Sequence, residues 1–397
     1  MRIGIVGTRG LPPEYGGYET FAHHLVEYFI PRGHQVLVAC EGKPTSKRVA
    51  SYNGAQLLYF PFNPPKNYSI RKIYEGLNDL YFYLYLARRC DILYILAGLG
   101  TQLLPMIKLL NPNIKIVTNN DGIEWEREKY GFIERTLWKS FIRSSLYWSD
   151  LVIFDNEELQ DRFPRHNSKK SITIEYGVNT PEQINWSERN FSKEDQIFPH
   201  LSELRDNGYY LVVARLQKDN NTHRIVEGFL LSKTKKHLVI VGDSLDSSYQ
   251  NHLNSLVSGK EDRVIFTGGI YDQTKLNMIR QHCFAHIHGH SAGGTNPSLL
   301  EAMAMGRSII PHRNPFNSNV LGSDELSFQD SESLSNAINM LESDPILKTR
   351  IEKRNRNRAK KKYTWERCFF KHERAFKALL DRKFRSKFLS ARKVTET

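Results

Sequence analysis

Short apolar runs, most of them continuous rather than alternating, recur along this chain, separated by segments long enough for a helix. They stand at residues 2–7, 35–40, 56–60, 91–96, 114–118, 151–154 and 171–175. After a polar stretch over 181–208 the pattern restarts at 209–214, 237–241, 263–267, 285–288 and 308–311. Runs without polar alternation are what parallel strands need when helices cover both faces of a sheet. Two such series in succession predict an α/β chain with two Rossmann-like domains facing a cleft. The expected division is 1–190, then 191–362, with 363–397 as a basic C-terminal helix and tail.

Composition then removes several alternatives. The 397 residues are 40% hydrophobic and 25% charged, which excludes collagen-like and wholly disordered chains. The longest apolar stretches, 79–87 and 91–98, fall well short of the roughly 18 residues that a spanning helix requires. The first ten residues, MRIGIVGTRG, enter a strand pattern without signal-peptide architecture, so a cytoplasmic location is expected. Cys40, Cys90, Cys283 and Cys368 show neither zinc spacing nor a disulfide framework.

The formal charge of +13 is confined to one end. Residues 350–397 hold eighteen Lys or Arg against five Asp or Glu, and the rest of the chain is formally neutral. A basic tail without a zinc-finger, RRM or KH signature gives no reason to expect nucleic acid as a partner. Within the tail, Trp365, Phe369, Phe376, Leu380, Phe384 and Phe388 recur at helical spacing, predicting an amphipathic helix over 363–389. Its apolar stripe can dock on protein, or lie on a bilayer with Lys and Arg meeting anionic headgroups.

Three segments can carry chemistry. The first, GTRGLPPEYGGYE over 7–19, follows the first strand and opens a helix. Its glycines permit close backbone approach at a helix N-terminus. An NAD-dependent oxidoreductase is the alternative from this segment, with Glu41 as the acid at the tip of the second strand. Gly4, Gly7 and Gly10 do not have the dinucleotide spacing. The second, HIHGHSAGGTNPSLLEAMAMG over 286–306, reads as strand, glycine loop and helix, with Asn296 as cap and Pro297 in the first turn. Amides of residues 294–298 would there meet an anionic diphosphate, and Glu301, one turn further in, would meet sugar hydroxyls. His286, His288 and His290 raise a metal reading, but they share one strand face only if the strand runs on past Gly289. A hydrogen bond from one of them to a sugar is the better expectation. The third is Arg215, at the end of the 209–214 strand, placed to face a phosphate.

Together these residues resemble the GT-B glycosyltransferases of family 4. Gly16-Gly17-x-Glu19, Val213-x-Arg215-Leu216 and the run from Asn296 through Glu301 to Gly306 stand in family order over almost the whole chain. The opening GTRGLPPEYGGYETF, the run Asn120-Asp121-Gly-Ile-Glu124-Trp125-x-Arg127 and HGHSAGGTNPSLLEAM look like a bacterial rhamnosyltransferase subfamily of capsule and O-antigen assembly. The resemblance implies a hexosyltransferase using a nucleotide-sugar donor, dTDP-L-rhamnose in that subfamily, held mainly by the second domain. The first domain would hold a glycan or polyprenyl-diphosphate-linked acceptor, at the inner face of the cell membrane with an anionic surface as partner. Neither a metal nor another cofactor is expected.

The resemblance assigns roles to Arg215, at the leaving diphosphate, and Glu301, at the nucleotide sugar; Asp121, in the region where many relatives place a histidine, is a candidate catalytic or acceptor-orienting carboxylate. Donor contacts would come from Gly16, Gly17, Arg215, Gly293, Gly294, Thr295, Asn296, Ser298 and Glu301. Two positions depart from the family: Asn220 stands where a Lys is common, and Gly293 where the first acid of an E-x7-E pair falls.

Overall fold

The computed structural model describes residues 1–13, 16–96, 100–120, 122, 125, 131–163, 170–182, 185, 204–244, 246–260, 262–291 and 293–381. These form two compact units: residues 1–125 and 130–176 with the helix Trp365–Leu380, and residues 177–364. Each is described by itself.

The first unit is built on strands β1 (Arg2–Val6), β2 (Gln35–Cys40), β3 (Ser51–Tyr52), β4 (Ala55–Tyr59), β5 (Ile92–Leu96), β6 (Lys115–Asn120), β7 (Leu151–Phe154) and β8 (Ser171–Thr173). They pair in the order β3-β4-β2-β1-β5-β6-β7-β8, parallel throughout except for the β3–β4 pair. Ile3 registers with Val36 on one side and Ile92 on the other. Chain order therefore reverses between β1 and β5. β3 went unread in the sequence, although Asn53-Gly54 between β3 and β4 is a strong two-residue hairpin signal.

Strand side chains alternate between two cores. Val6, Leu37, Ala39, Leu93 and Ile95 pack with Phe82, Tyr83 and Leu86 from the helix Tyr68–Ala87. On the helix Gly17–Phe29 the buried residues are Glu19, Phe21, Ala22, Leu25, Val26, Tyr28 and Phe29, the stripe that a 3.6-residue repeat produces.

The C-terminal helix begins later than its sequence pattern predicts. Tyr363 belongs to the second unit, where its buried hydroxyl donates to the Val320 carbonyl at 3.0 Å. The helix Trp365–Leu380 buries Phe369, His372 and Phe376. Their rings lie against the first unit: Phe369 is 5.2 Å from Phe21 and Phe376 is 5.4 Å from Tyr94, centroid to centroid. The His372 Nδ1–H donates to the Cys368 carbonyl at 2.9 Å, which leaves Nε2 to accept from the Tyr94 hydroxyl, also at 2.9 Å. Lys371 pairs with Glu175 at 2.7 Å and His34 with Glu373 at 2.9 Å. Of the two uses the sequence leaves open for this stripe, residues 365–380 take the protein one. Phe384 and Phe388 lie outside the described residues.

The second unit carries β9 (Tyr209–Val213), β10 (His237–Val241), β11 (Val264–Gly268), β12 (Ala285–His288) and β13 (Ser308–Pro311). All are parallel, in the order β11-β10-β9-β12-β13. Tyr210 registers with Leu238 and with Ala285, so chain order reverses between β9 and β12. One face packs Tyr210, Val212, Ile240 and Ile287 with Phe229, Leu253, Leu334 and Ile338 from surrounding helices. The other packs Leu211, Val239 and Val241 with Leu276, Ile279 and Cys283. Among the described residues no helix is long and apolar enough to cross a membrane.

Candidate active site

Ligands of open parallel sheets collect outside the carboxyl ends of the strands, where chain order reverses. In the second unit that point lies between β9 and β12. The loops leaving these strands carry Arg215 and the segment from Gly289 to Asn296.

Hydrogen bonds hold the two loops together. The Ser291 N–H and hydroxyl both donate to the Asp219 carbonyl, at 3.0 and 2.9 Å. The Asn221 side chain donates to the Gly289 carbonyl at 2.8 Å. Gly289 itself approaches so closely that a Cβ there would collide with the Asn220 carbonyl oxygen. Beneath Arg215, the buried Asn220 side chain donates to the Arg215 carbonyl at 2.6 Å. Asn220 therefore shapes the loop and presents no charge where relatives commonly have Lys. The Arg215 side chain is exposed and makes no hydrogen bond or ion pair among the described residues.

The glycine loop ends in the helix Pro297–Ala304, and its cap is more fully satisfied than the sequence predicts. Asn296 Oδ1 accepts from the Ser298 N–H at 3.0 Å and from the Ser298 hydroxyl at 2.9 Å. The Asn296 carbonyl takes the N–H groups of Leu299 and Leu300. The expected row of free amides over 294–298 is corrected accordingly. Pro297 has no N–H and the Ser298 amide is held by the Asn296 side chain, so neither is a free donor. Thr295 is buried, and Gly293 takes a φ of 130°, which favours glycine.

One turn into this helix, Glu301 meets Arg280, Oε2 to Nη2 at 2.5 Å. Arg280 is only 3% exposed, whereas Glu301 retains 34%. Burial pulls the Arg280 pKa below its ordinary value, and the Glu301 charge opposes that shift. The carboxylate is thereby fixed by a buried cation and keeps an exposed edge. Arg280 was missed in the sequence, though a signal was present: it occupies the apolar stripe of its helix, four residues after Leu276.

The three histidines of the β12 segment do not form a metal cluster. The His286 Nε2–H donates to the Arg280 carbonyl at 3.2 Å, and His288 stacks on His290 at 4.6 Å. Burial pulls His286 and His288 down to about 3, so both are neutral near pH 7. Among the described residues, the one trio with metal-ligating atoms within 4.8 Å of one another is His23, His24 and Glu27.

In the first unit, order reverses between β1 and β5, and the Gly7–Gly17 segment leaves β1 at this point. Glu19 is buried and its Oε1 accepts from the Arg9 N–H at 2.8 Å, folding the segment onto its own helix. Gly16 has a φ of 127° and faces Glu19 so closely that a Cβ would strike the carboxylate. Gly17 opens the helix. Glu41, the acid of the dinucleotide reading, pairs instead with Arg71.

Asp121, Glu124 and Arg127 lie outside the described residues. Just before them, Asn119 donates to the Tyr176 hydroxyl at 3.1 Å and Asn120 to the Ser145 hydroxyl at 3.2 Å. Both Oδ1 atoms are buried and have no partner among the described residues.

Comparison with known proteins agrees with this architecture. Residues 193–358 match the family described as Glycosyl transferases group 1, and residues 1–179 match a Domain of unknown function (DUF1972). Sucrose-phosphate synthase from Thermosynechococcus elongatus is similar with a TM-score of 0.76 at 15% identity, covering 95% of this chain and 98% of that one. HepE from Anabaena, solved in complex with UDP, gives 0.71 at 15% identity, covering 95% and 100%. A glycosyltransferase from Rickettsia africae gives 0.68 at 15% identity, covering 96% and 98%. Nothing in these comparisons supports the oxidoreductase alternative. The chain thus matches DUF1972 over its first part and Glycosyl transferases group 1 over its second, on the GT-B fold that these solved structures share.

Proposed function

We propose that the chain transfers a hexosyl group from a nucleoside-diphosphate sugar to a glycan or polyprenyl-diphosphate-linked acceptor in surface-polysaccharide assembly. The observation that carries this reading is the exposed Arg215 on the loop after β9. It lies inside the region matched to group 1 transferases and is tied to the glycine loop after β12. There Arg215 and the amides of Gly294 and Asn296 meet the diphosphate, while Glu301 accepts hydrogen bonds from the nucleotide-sugar hydroxyls. When the sugar–phosphate bond breaks, negative charge grows on the diphosphate oxygen, and preorganised donors stabilise it there. Gly16 and Gly17 leave room for backbone approach to the donor, and Asp121 orients or deprotonates the acceptor hydroxyl.

Rhamnose from dTDP-L-rhamnose is the donor reading supported by the sequence motifs. Glucose is the second, favoured by HepE, which has been solved in complex with UDP-glucose. The basic tail would hold the enzyme on the anionic inner face of the membrane through charge. Isothermal titration of the full chain with UDP, dTDP and NADH tests the class. Binding of a pyrimidine diphosphate without NADH supports the proposal, and NADH binding alone overturns it.

A further inference from the structure

The helix Gly17–Phe29 carries one group of side chains that the transferase reading does not use. His23 and His24 precede Glu27 by four and three residues, so both imidazoles and the carboxylate meet on the helix surface. The His23 Nε2 stands 3.4 Å from Glu27 Oε1, and the His24 Nδ1 stands 2.9 Å from Oε2. The two ring centroids are 4.7 Å apart, and one ligand atom from each of the three side chains lies within 4.8 Å of the others.

Neighbouring elements of the same unit hold these rings in place. The His23 Nδ1 is 3.0 Å from the Tyr52 hydroxyl on β3, while its Nε2 faces Glu27. The His24 ring lies 4.6 Å from the ring of Trp365, the residue that opens the C-terminal helix. Both imidazoles are largely covered, with side-chain exposures of 21% and 13%, whereas Glu27 retains 47%.

Two imidazoles and a carboxylate are a donor set for zinc-class ions, whereas magnesium and calcium take oxygen ligands. Zinc holds such atoms at about 2.0–2.1 Å, which in a tetrahedron sets them roughly 3.3 Å apart. The two His–Glu separations, 2.9 and 3.4 Å, bracket that spacing. The geometry points to a site for a zinc-class divalent ion held by His23 Nε2, His24 Nδ1 and a Glu27 oxygen. Water on the open side completes the tetrahedron. On binding, the ligating nitrogens release any proton they carry to solvent. His23 then keeps its proton on Nδ1 and donates it to the Tyr52 hydroxyl, the kind of outer contact that orients a ligating imidazole. Through Tyr52 and Trp365 the ion ties this helix to β3 and to the C-terminal helix. Its role is structural, so the expectation that transfer itself needs no metal is unaffected.

The test uses the untagged full chain, stripped of metal by a chelator. Zn²⁺ and Mg²⁺ are titrated by calorimetry, and Co²⁺ by visible spectroscopy. One zinc ion per chain should bind and raise the melting temperature, while magnesium should do neither. Co²⁺ should give the strong visible absorption of a tetrahedral site. Glu27→Gln, at a half-exposed position, and His23→Gln should each weaken zinc binding about tenfold or more, no less than the loss of an outer contact. Unchanged zinc affinity in either variant overturns the site. So does Co²⁺ absorption in the wild type no stronger than that of the aqua ion, a readout that needs no variant.

Discussion

Arg280 and Glu301 form an ion pair with one partner buried and the other partly open, and this asymmetry governs what each substitution does. Removing one side of a buried pair strands the other charge and costs about 3–5 kcal/mol. Glu301→Ala strands Arg280 in the interior, so a loss of that size is expected. Arg280→Met leaves Glu301 to be hydrated and should cost less, about 1–3 kcal/mol. The double variant should recover part of the stability lost in Glu301→Ala without recovering affinity for the nucleotide-sugar donor. Chemical denaturation and donor titration of the three variants check both halves.

Asn220 offers a second test, because it acts through the backbone of Arg215. Asn220→Ala removes the hydrogen bond to the Arg215 carbonyl and should destabilise the second unit by about 1 kcal/mol. Transfer should fall through mispositioning of Arg215. Asn220→Lys, which restores the residue common in relatives, should not raise activity here, since the position is buried and an ammonium would enter it at further cost. A more active, equally stable Lys variant would contradict this reading.

Stability should fall as pH drops below about 6.5, the ordinary histidine value. His286 and His288 have folded values of about 3, lowered first by burial. Between those limits the unfolded chain binds protons that the folded chain refuses. Their contribution is therefore complete above the unfolded value and is lost progressively toward pH 3. Each fully titrating histidine adds a slope of about 1.4 kcal/mol per pH unit. Denaturation of the wild type and His288→Phe from pH 7.5 to 4.5 should show a shallower fall in the variant. Parallel curves would remove His288 from the account.

The strand pattern was legible because both sheets are parallel but for the β3–β4 pair, so most strands are continuous apolar runs whose ends polar residues mark. Leu151–Phe154 was readable to the residue for that reason. Less legible were features that depend on contacts distant in sequence. Nothing local shows that Glu301 ends on Arg280, or that Asn220 turns back to the Arg215 carbonyl. The tail shows the limit of sequence reading: the segment expected as a helix from 363 begins at Trp365, and the Tyr363 hydroxyl is held by Val320 in the second unit. A stripe also cannot say whether protein or lipid covers it, and for Phe369 and Phe376 the rings of Phe21, Phe29 and Tyr94 do.

With Phe369 and Phe376 covered by protein, the proposed membrane attraction rests on charge. Residues 382–397 hold six Lys or Arg and one Glu. A chain ending at Asp381 should keep its fold and donor affinity but bind anionic vesicles more weakly, by up to about 1 kcal/mol per basic residue removed. Added salt should weaken full-length binding, and phosphatidylcholine vesicles should bind neither form. Flotation assays at several ionic strengths read this directly; binding indifferent to salt and truncation would refute it.

The central claim is that Arg215 stabilises a leaving nucleoside diphosphate. Its most direct test measures diphosphonucleoside release from a panel of UDP- and dTDP-sugars by the wild type and by Arg215→Ala. Because the side chain is exposed without a partner among the described residues, the variant should melt like the wild type. Loss of one charge-assisted contact should lower kcat/KM by about 1.5–3 kcal/mol, or roughly 10- to 150-fold, on whichever donor is turned over. A variant with undiminished kcat/KM, on a donor that the wild type demonstrably turns over, would contradict the account.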